Sequence, residues 1–224
     1  MKLKNNIKLL IAADGGAASG KTTASKLLSK KYKLNFLSSG TLYRYISFKL
    51  IKKKKFVKNY AYLKKITKNI TSKKLRNRKL FNSKITEFSA EVAKIKKIRI
   101  LLRKYQKNFA KQNHVCIEGR DIGSVICPNA DIKFFFKCNL KIRAKRRWAE
   151  YKKINPKISL LEVKNSLKLR DSLDINRKHS PLRVPKDSIV IDTSKINKKQ
   201  VLDKISGLIE KKLFLKYGRN YKAR

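Results

Sequence analysis

Acidic residues are scarce in this sequence. Its 224 residues include 14 Asp and Glu against 60 Lys and Arg, which gives a formal net charge of +46. Taken alone, this balance predicts nucleic acid or an anionic membrane as a partner. The basic residues are mostly lysines spread along every segment beside many Asn and Ile, which is typical of an AT-rich coding bias at exposed positions. We favour compositional drift, and we expect non-specific nucleic-acid binding at low salt in either case.

Cysteine, histidine and long apolar runs are also lacking. The three cysteines, Cys116, Cys127 and Cys138, have no CxxC spacing, which predicts reduced, mostly structural thiols in a cytoplasmic protein. The two histidines are too few and too separated to indicate a metal cluster. No apolar run approaches the roughly 20 residues of a membrane span, so we expect no membrane association. The hydrophobic share of 42% nevertheless predicts a folded chain with a core.

Glycine is scarce too, with eight in the chain, and three of the eight lie in one short stretch. Residues 15–22 read GGAASGKT, between an apolar run at 7–13 and an amphipathic segment at 23–34. The G-x-x-x-x-G-K-T spacing after a strand and before a helix is typical of a loop whose backbone N–H groups bind phosphate. A plain strand–helix turn is the alternative, and it leaves the Lys-Thr pair unexplained. The pattern assigns ATP binding to Gly15, Gly16, Ala17, Ala18, Ser19, Gly20, Lys21, Thr22 and Thr23.

Two side chains of this stretch are expected to complete the phosphate site. Lys21, in a loop expected to face solvent, supplies a cation for the terminal phosphates, and the Thr22 hydroxyl is placed to ligate Mg²⁺, the predicted cofactor. Glu118 and Asp14, both at strand ends, are each suited to orient Mg²⁺-bound water, and the sequence does not choose between them.

Short apolar runs alternate with helical patterns, which predicts an α/β fold with a parallel sheet. Strands are expected at 8–13, 34–37, 115–118, 132–136 and 188–192. Helices are expected at 22–33, 41–54, 83–112, 140–154, 159–172 and 197–216. Residues 52–83 are interpreted as a small helical or mixed insertion outside the sheet, and residues 217–224 as a frayed basic tail.

Arginines beside rare acidic residues indicate a second anion site. Arg120 lies in an Glu-Gly-Arg-Asp run at the carboxyl end of a strand, where ligands bind in doubly wound sheets. An internal ion pair is the alternative there. Three residues at i, i+4 and i+7 would lie on one helical stripe and could contribute to the same site: Arg170, Asp174 and Arg177. The alternative is that they form a stabilising ion pair within the helix.

A further predicted helix carries three arginines, Arg143, Arg146 and Arg147. This helix could fold over a triphosphate as a lid, and the alternative is a solvated basic face.

These stretches resemble bacterial cytidylate kinases, which belong to the P-loop nucleoside-monophosphate kinases. The matching segments fall in order along nearly the whole chain. They are IAADGGAASGKTT at 11–23, LSSGTLYR at 37–44, AEVAKIKKIRILLRKYQ at 90–106, IEGRDIGSVICPNADIKFF at 117–135, IRAKRRWAEY at 142–151 and LRDSLDINRKHSPL at 169–182.

The resemblance implies a P-loop NTPase-type five-stranded parallel sheet with helices on both faces, a small NMP-binding insertion and a helical lid. It implies one kinase domain with its core at 1–51, 84–138 and 179–216, the insertion at about 52–83, the lid at about 139–178 and a basic tail at 217–224. It also implies a monomer that transfers the ATP γ-phosphate to CMP or dCMP in pyrimidine nucleotide metabolism.

Particular roles are carried over by the same resemblance. The catalytic residues would be Lys21, Arg120, Arg143 and Arg147. In the acceptor site, arginines would hold the phosphate, Arg170 with Asp174 would hold the sugar, and Arg99 with Asp121 would bind the cytosine edge. The full CMP set is Ser39, Arg44, Arg99, Arg120, Asp121, Arg170, Asp174 and Arg177.

Several positions depart from the pattern of the family. Ala90 stands where these kinases often have Ser, with Ser89 one position earlier, so either a register shift restores the contact or Asp121 acts alone. Gly16 and Ala18 replace a usual proline and glycine of the loop. Two other functions stay open: a P-loop kinase for UMP, AMP or shikimate, and a basic nucleic-acid-binding protein with a degenerate P-loop.

Overall fold

The fold centres on a five-stranded parallel sheet. The computed structural model describes residues 3–53, 59–153 and 155–222. The strand order is β2-β3-β1-β4-β5, and the strands are Leu9–Gly15 (β1), Asn35–Ser38 (β2), His114–Gly119 (β3), Ile132–Lys137 (β4) and Ile189–Asp192 (β5). Each predicted strand is confirmed with its ends within two residues.

Helices cover both faces of this sheet. Among the described residues they are Lys21–Tyr32 (α1), Ser39–Lys52 (α2), Tyr60–Lys68 (α3), Ser72–Leu75 (α4), Ser83–Val92 (α5), Lys96–Phe109 (α6), Leu140–Lys152 (α7), Leu160–Asn176 (α8) and Lys198–Tyr217 (α9). Shorter turns, 3-10 at Arg78–Phe81 and Gly218–Tyr221 and π-helical at Ile122–Ile126, complete the regular structure. No helix in these described ranges is long and apolar enough to cross a membrane.

The central strands contribute side chains to two hydrophobic cores, one on each side of the sheet. In β3, Val115 and Ile117 pack with α2 and α6, whereas Cys116 between them packs with α1 and α9. Successive side chains of a strand point to opposite faces, so a strand covered on both faces must be apolar throughout. This explains why the strands appear in the sequence as continuous apolar runs.

The prediction of a single helix at 83–112 is wrong, because the helix is interrupted between α5 and α6. Ile95 has an extended backbone (φ −80°, ψ 113°) and precedes the first residue of α6. The break frees the Ala93 carbonyl, which accepts a hydrogen bond of 3.0 Å from Arg99 Nη1. No proline or glycine marks this position, so the partners of the two helices, rather than local propensity, set the break.

Other helix ends also differ from prediction. Helix α8 continues to Asn176 rather than ending at 172, so Arg177 lies one residue beyond it and not on a helical stripe. Within the segment predicted as an insertion, the described residues form α3, α4 and the following 3-10 turn. Residues 54–58 and 154, which include two predicted helix ends, lie outside the described residues.

The C-terminal segment to Lys222 is anchored, so the predicted frayed tail is wrong for these residues. Leu3 pairs with Lys222 in an antiparallel bridge, and Lys4 N–H donates to the Tyr221 carbonyl (3.2 Å). The Tyr221 ring is buried in the core formed by β1, α1 and α9. A buried aromatic side chain offsets the tendency of a charged terminus to fray.

Replacing Tyr221 with Ala is therefore expected to lower the free energy of unfolding by about 3 kcal/mol, the typical cost of truncating a buried aromatic residue. Urea denaturation followed by circular dichroism measures the change. Arg219→Ala, at an exposed position in the same turn, is the matched control and should stay within about 0.5 kcal/mol of the wild type. Equal stability of the two variants would contradict the anchored terminus.

Candidate active site

A cavity of about 1040 Å³ lies at the carboxyl edge of the sheet. This is the edge at which parallel α/β sheets bind their ligands. The cavity extends from the phosphate loop between β1 and α1 to the arginines that follow β3 and lie on α8. Its walls include Ala17, Ala18, Ser19, Gly20, Lys21, Thr22, Thr23, Ser39, Tyr43, Arg44, Ser89, Arg99, Glu118, Arg120, Asp121, Arg146, Arg147, Arg170, Asp174, Arg177 and Thr193.

The phosphate loop depends on two glycines for its shape. Gly15 has φ +149°, and a Cβ there would lie 2.4 Å from the carbonyl oxygen of Phe136, so any side chain would collide with β4. Gly20 has φ +87° and precedes the first residue of α1. Ala18, which replaces a usual glycine, also has positive φ (57°). The loop therefore keeps its strained conformation at a position where alanine is less favourable than glycine.

The two predicted ATP residues at the start of the loop, Gly15 and Gly16, lie behind the cavity wall rather than in it. Gly15 packs against β4, and Gly16 lies beside the side chains of Arg143 and Asp171. The remaining residues of the predicted ATP set, 17–23, line the cavity. The early glycines thus shape the loop, and the later residues form the cavity surface.

Lys21 is buried, so the expectation that it faces solvent is wrong. Its Nζ donates to the Gly16 carbonyl (3.0 Å) and lies 3.9 Å from Glu118 Oε2. Burial, together with the charge of Arg120, lowers the pKa of Lys21 to about 7, although Glu118 acts in the opposite direction. The loop folds around its own lysine and holds the ammonium group at the floor of the cavity.

The two carboxylates considered for a metal have different surroundings. Asp14 accepts from the backbone N–H groups of Ile122 (2.8 Å) and Gly123 (2.7 Å), and burial raises its pKa to about 7. Asp14 therefore ties β1 to the turn after β3. Glu118 accepts a hydrogen bond from Ser38 Oγ and faces the cavity, as Thr22 does. Of the two carboxylates, Glu118 is therefore the one that faces the cavity together with the Thr22 hydroxyl, and both are oxygen groups of the kind a hard cation prefers.

Asp174 gathers three arginines at the acceptor end of the cavity. Its carboxylate lies 2.7 Å from Arg120, 3.4 Å from Arg170 and 3.2 Å from Arg177. Burial opposes ionisation of Asp174, but the three guanidinium groups outweigh it and lower its pKa to about 2. One carboxylate cannot neutralise three cations, and Arg177 Nη2 is buried without a hydrogen-bond partner. This end of the cavity therefore carries a net positive charge that suits an anion.

Two further arginines of the predicted acceptor set lie in the same wall. Arg99 is buried, donates to Asp121, and has its Cζ 5.6 Å from the centroid of the Tyr43 ring. Burial, and then the charges of Arg147 and Arg170, lower the pKa of Arg44 to about 10. The uncompensated positive charge of the cavity therefore extends beyond the group around Asp174.

The polar residues beside these arginines include two serines. Ser39 Oγ accepts from Gln106 Nε2 (2.8 Å), and both side chains are buried. Ser89, and not Ala90, lines the cavity, with its Oγ donating to the Thr86 carbonyl (2.6 Å). The hydroxyl that is missing at position 90 is thus present one residue earlier and on the cavity side of α5.

The helix expected to form a lid divides its arginines between two sites. Arg146 and Arg147 line the cavity, and Arg146 also donates to the Thr193 carbonyl (2.7 Å). Arg143 does not line it. Instead, Arg143 pairs with Asp171 (2.7 Å) and donates to the Ala17 carbonyl (3.1 Å), so it joins α7 and α8 to the outside of the phosphate loop.

Sequence reasoning missed one wall of the cavity. Residues that follow the carboxyl end of β5 line it beside the phosphate loop, and they include Thr193, Ile196, Asn197 and Val201. Thr193 Oγ1 donates to the Ser19 carbonyl (2.9 Å), which joins this segment to the loop. Their position after a strand was the available signal, because parallel α/β sheets bind ligands beyond the carboxyl ends of their strands.

Comparison with known proteins assigns the chain to a family. The family model described as cytidylate kinase matches residues 11–211. The chain belongs to the cytidylate kinase family. It is 34% identical over 225 residues to a cytidylate kinase of Clostridium tetani, covering 95% of this chain and 99% of the relative. It is 36% identical over 204 residues to a cytidylate kinase of Rickettsia rickettsii, covering 91% and 92%. The family resemblance seen in the sequence is confirmed.

Solved structures agree with this assignment at the level of the fold. An uncharacterized protein from Eubacterium ventriosum aligns with TM-score 0.55 and 14% identity, covering 91% of this chain and 99% of its own. A gluconokinase from Sinorhizobium meliloti aligns with TM-score 0.51 and 11% identity, covering 95% and 98%. At such low identity the likeness concerns the α/β fold alone, and the predicted fold class is confirmed.

Proposed function

We propose that this member of the cytidylate kinase family transfers the γ-phosphate of ATP to the 5′-phosphate of CMP or dCMP, giving CDP or dCDP. The observation that carries the proposal is the arginine group around Asp174, which is positively charged and shares one cavity with the phosphate loop. A donor triphosphate at the loop and an acceptor phosphate at the arginines supply the charges that the two ends require. The match to the family over residues 11–211 supports the identity of the acceptor.

The reaction needs positioning and charge neutralisation more than a base. The attacking atom is an oxygen of the acceptor phosphate, which is already anionic. Lys21 and the backbone N–H groups of the loop hold the donor, while Arg120 and Arg177 hold the acceptor. Arg147, on the cavity wall, neutralises charge on the group in transfer, and Arg143 keeps the lid helices on the loop through Ala17. Closure of the lid excludes water, which otherwise competes as acceptor.

The donor set fits Mg²⁺, the cofactor implied by the family. Mg²⁺ prefers oxygen ligands, keeps several waters, and takes few groups from the protein beside the phosphates of a nucleotide. The Thr22 hydroxyl would ligate it and the Glu118 carboxylate would hold one of its waters, since both face the cavity while Asp14 is committed to backbone amides. When bound, Mg²⁺ supplies neutralising charge between the donor phosphates.

The pair Arg99–Asp121 is proposed to select cytosine. Arg99 donates to the N3 and O2 edge and Asp121 accepts from the exocyclic amine, with Ser89 on the same wall. Uracil presents a carbonyl where cytosine has the amine, so two acceptors would face each other out of water. Such an unpaired contact costs about 1–3 kcal/mol. Arg170 with Asp174 holds the sugar hydroxyls in the same proposal.

A panel of acceptors tests this function. ADP release at saturating MgATP is measured with CMP, dCMP, UMP, AMP and shikimate. We expect CMP and dCMP to have the highest kcat/KM and UMP to be lower by about 10-fold to 100-fold, as the cost of opposed acceptors implies. Faster release with AMP or shikimate than with CMP would assign the chain to another acceptor.

The high positive charge supports a second candidate, a basic nucleic-acid-binding protein. Salt-dependent nucleic-acid binding without CMP-dependent ADP release would favour it. Beside the kinase function we propose only weak, non-specific binding. A cytoplasmic location is part of the same proposal, supported by three free cysteines. A monomer with core, insertion and lid divided as the sequence predicts is also proposed.

A further inference from the structure

One turn of α5 contacts arginines from two other helices. Thr86 Oγ1 accepts a hydrogen bond from Nε of Arg44 on α2 (3.4 Å). The Thr86 carbonyl accepts from Nη1 of Arg170 on α8 (3.0 Å) and from Ser89 Oγ (2.6 Å). Ser89 Oγ also accepts from Arg170 Nη1 (3.4 Å). A single turn therefore holds two guanidinium groups that belong to distant parts of the sequence.

Thr86 holds Arg44 by its inner nitrogen. Across the part of the chain that the structure describes, no other protein oxygen accepts from this guanidinium. Its Cζ lies 5.4 Å from the centroid of the Phe81 ring, and Nη1 lies 3.5 Å from where a Cβ on Gly40 would be. The two terminal nitrogens are left for a ligand in the cavity. A guanidinium fixed in this way is suited to bind two oxygens of one phosphate.

Thr86 itself stays outside the cavity. The residues that line it include Arg44, Arg170 and Ser89 but not Thr86. Any effect of Thr86 on the acceptor must therefore pass through its partners. Because the hydroxyl meets one arginine and the carbonyl the other, the position of this turn sets both cations at once.

We propose that Thr86 is a positioning residue of the acceptor site, which orients Arg44 through its hydroxyl and Arg170 through its carbonyl before the acceptor binds. The inference rests on the proposed function and deepens it. Groups that are fixed in advance lose less freedom when the ligand arrives, so affinity depends on the residue that fixes them. The substitution Thr86→Val keeps the branched shape of the side chain and replaces the hydroxyl with a methyl group.

The test uses the full chain and two readouts, the Kd of CMP by isothermal titration calorimetry without ATP, and steady-state kinetics. For Thr86→Val we expect the Kd and KM of CMP to rise about fivefold, which corresponds to about 1 kcal/mol, the usual contribution of a single hydrogen bond. The KM of ATP and kcat should change less than twofold. Thr86→Ser keeps the hydroxyl and should restore the affinity for CMP.

A double-mutant cycle separates positioning from a structural effect. In an Arg44→Ala background, Thr86→Val should raise the Kd of CMP by less than about 1.5-fold, because the hydroxyl has lost its partner. A full fivefold rise in that background, or no rise in the wild-type background, overturns the inference. A wild type that binds CMP without releasing ADP contradicts the proposed function but leaves this readout valid. A wild type that binds no CMP contradicts both.

Discussion

Replacing Lys21 with Ala is expected to lower kcat/KM for phosphate transfer to CMP by about a thousandfold. The ammonium group lies at the floor of the cavity, 3.0 Å from the Gly16 carbonyl inside the phosphate loop. The loop fixes this group in position before the donor phosphates arrive, so water or a flexible side chain cannot take its place. Removal of one such fixed donor typically costs about 10²–10³ in rate, and we expect the upper end because the donor phosphates favour the protonated, charged form of Lys21.

The same substitution should leave the fold intact. Burial lowers the pKa of Lys21 from an ordinary 10.5 to about 7, so the lysine destabilises the folded state. This cost is fully present below about pH 7 and disappears as the pH rises from 7 to 10.5. Removal of the side chain at pH 7 is therefore not expected to lower the free energy of unfolding by more than about 1 kcal/mol. Urea denaturation measures stability, and coupled ADP release measures rate.

Lys30→Ala is the matched control, since Lys30 is exposed on the same helix. It should retain activity within about twofold, which shows that one charge fewer among 60 basic residues has no general effect. Turnover of Lys21→Ala within tenfold of the wild type would remove the loop from the mechanism. Loss of activity together with loss of the folded state would show that Lys21 supports structure instead.

The sheet could be predicted because its signals are local. Each strand is an apolar run bounded by turns, and Val115, Cys116 and Ile117 are all fully buried, on alternating faces. The phosphate loop was predictable for the same reason, since one short stretch carries both the glycines and the Lys-Thr pair. The resemblance to a family also allowed the order and the roles of the later segments to be predicted.

What could not be predicted depends on contacts between distant residues. The break at Ile95 has no breaker residue and follows from what α5 and α6 pack against. Tyr221 lies in a basic segment whose composition predicts fraying, yet it is fixed by Leu3 and Lys4 at the other terminus. Local patterns carry no information on either contact.

The site divides in the same way. The types and spacing of Arg170, Asp174 and Arg177 indicated an anion site. Their contact with Arg120, which lies about 50 residues earlier in the sequence, is seen only in the folded structure. The proposal of Glu118 rather than Asp14 beside the cation depends on the hydrogen bonds of Asp14 to amides more than a hundred residues away. Burial of Lys21 was missed because a loop in the sequence does not reveal what its own backbone encloses.

Asp174 holds the acceptor arginines together, so Asp174→Asn is expected to damage both binding and stability. Three guanidinium groups would lose their shared counter-charge in a cavity where Arg177 is almost fully buried. Removal of one partner from a buried ion pair costs about 3–5 kcal/mol, and we expect about 3 kcal/mol here because Arg120 and Arg170 keep some contact with water. kcat/KM for CMP should fall about 100-fold, since Arg120, Arg170 and Arg177 no longer hold the acceptor in one orientation.

The pH dependence of stability distinguishes this role from simple packing. The pKa of Asp174 is about 2 in the folded protein against an ordinary 3.8, so its stabilisation is complete above about pH 4 and disappears as the pH falls through 2. The difference in unfolding free energy between the wild type and Asp174→Asn should follow that course. Asp203→Asn, at an exposed position on α9, is the control and should show no such difference. A gap that stays constant from pH 7 to pH 2 would mean that shape, and not charge, makes Asp174 necessary.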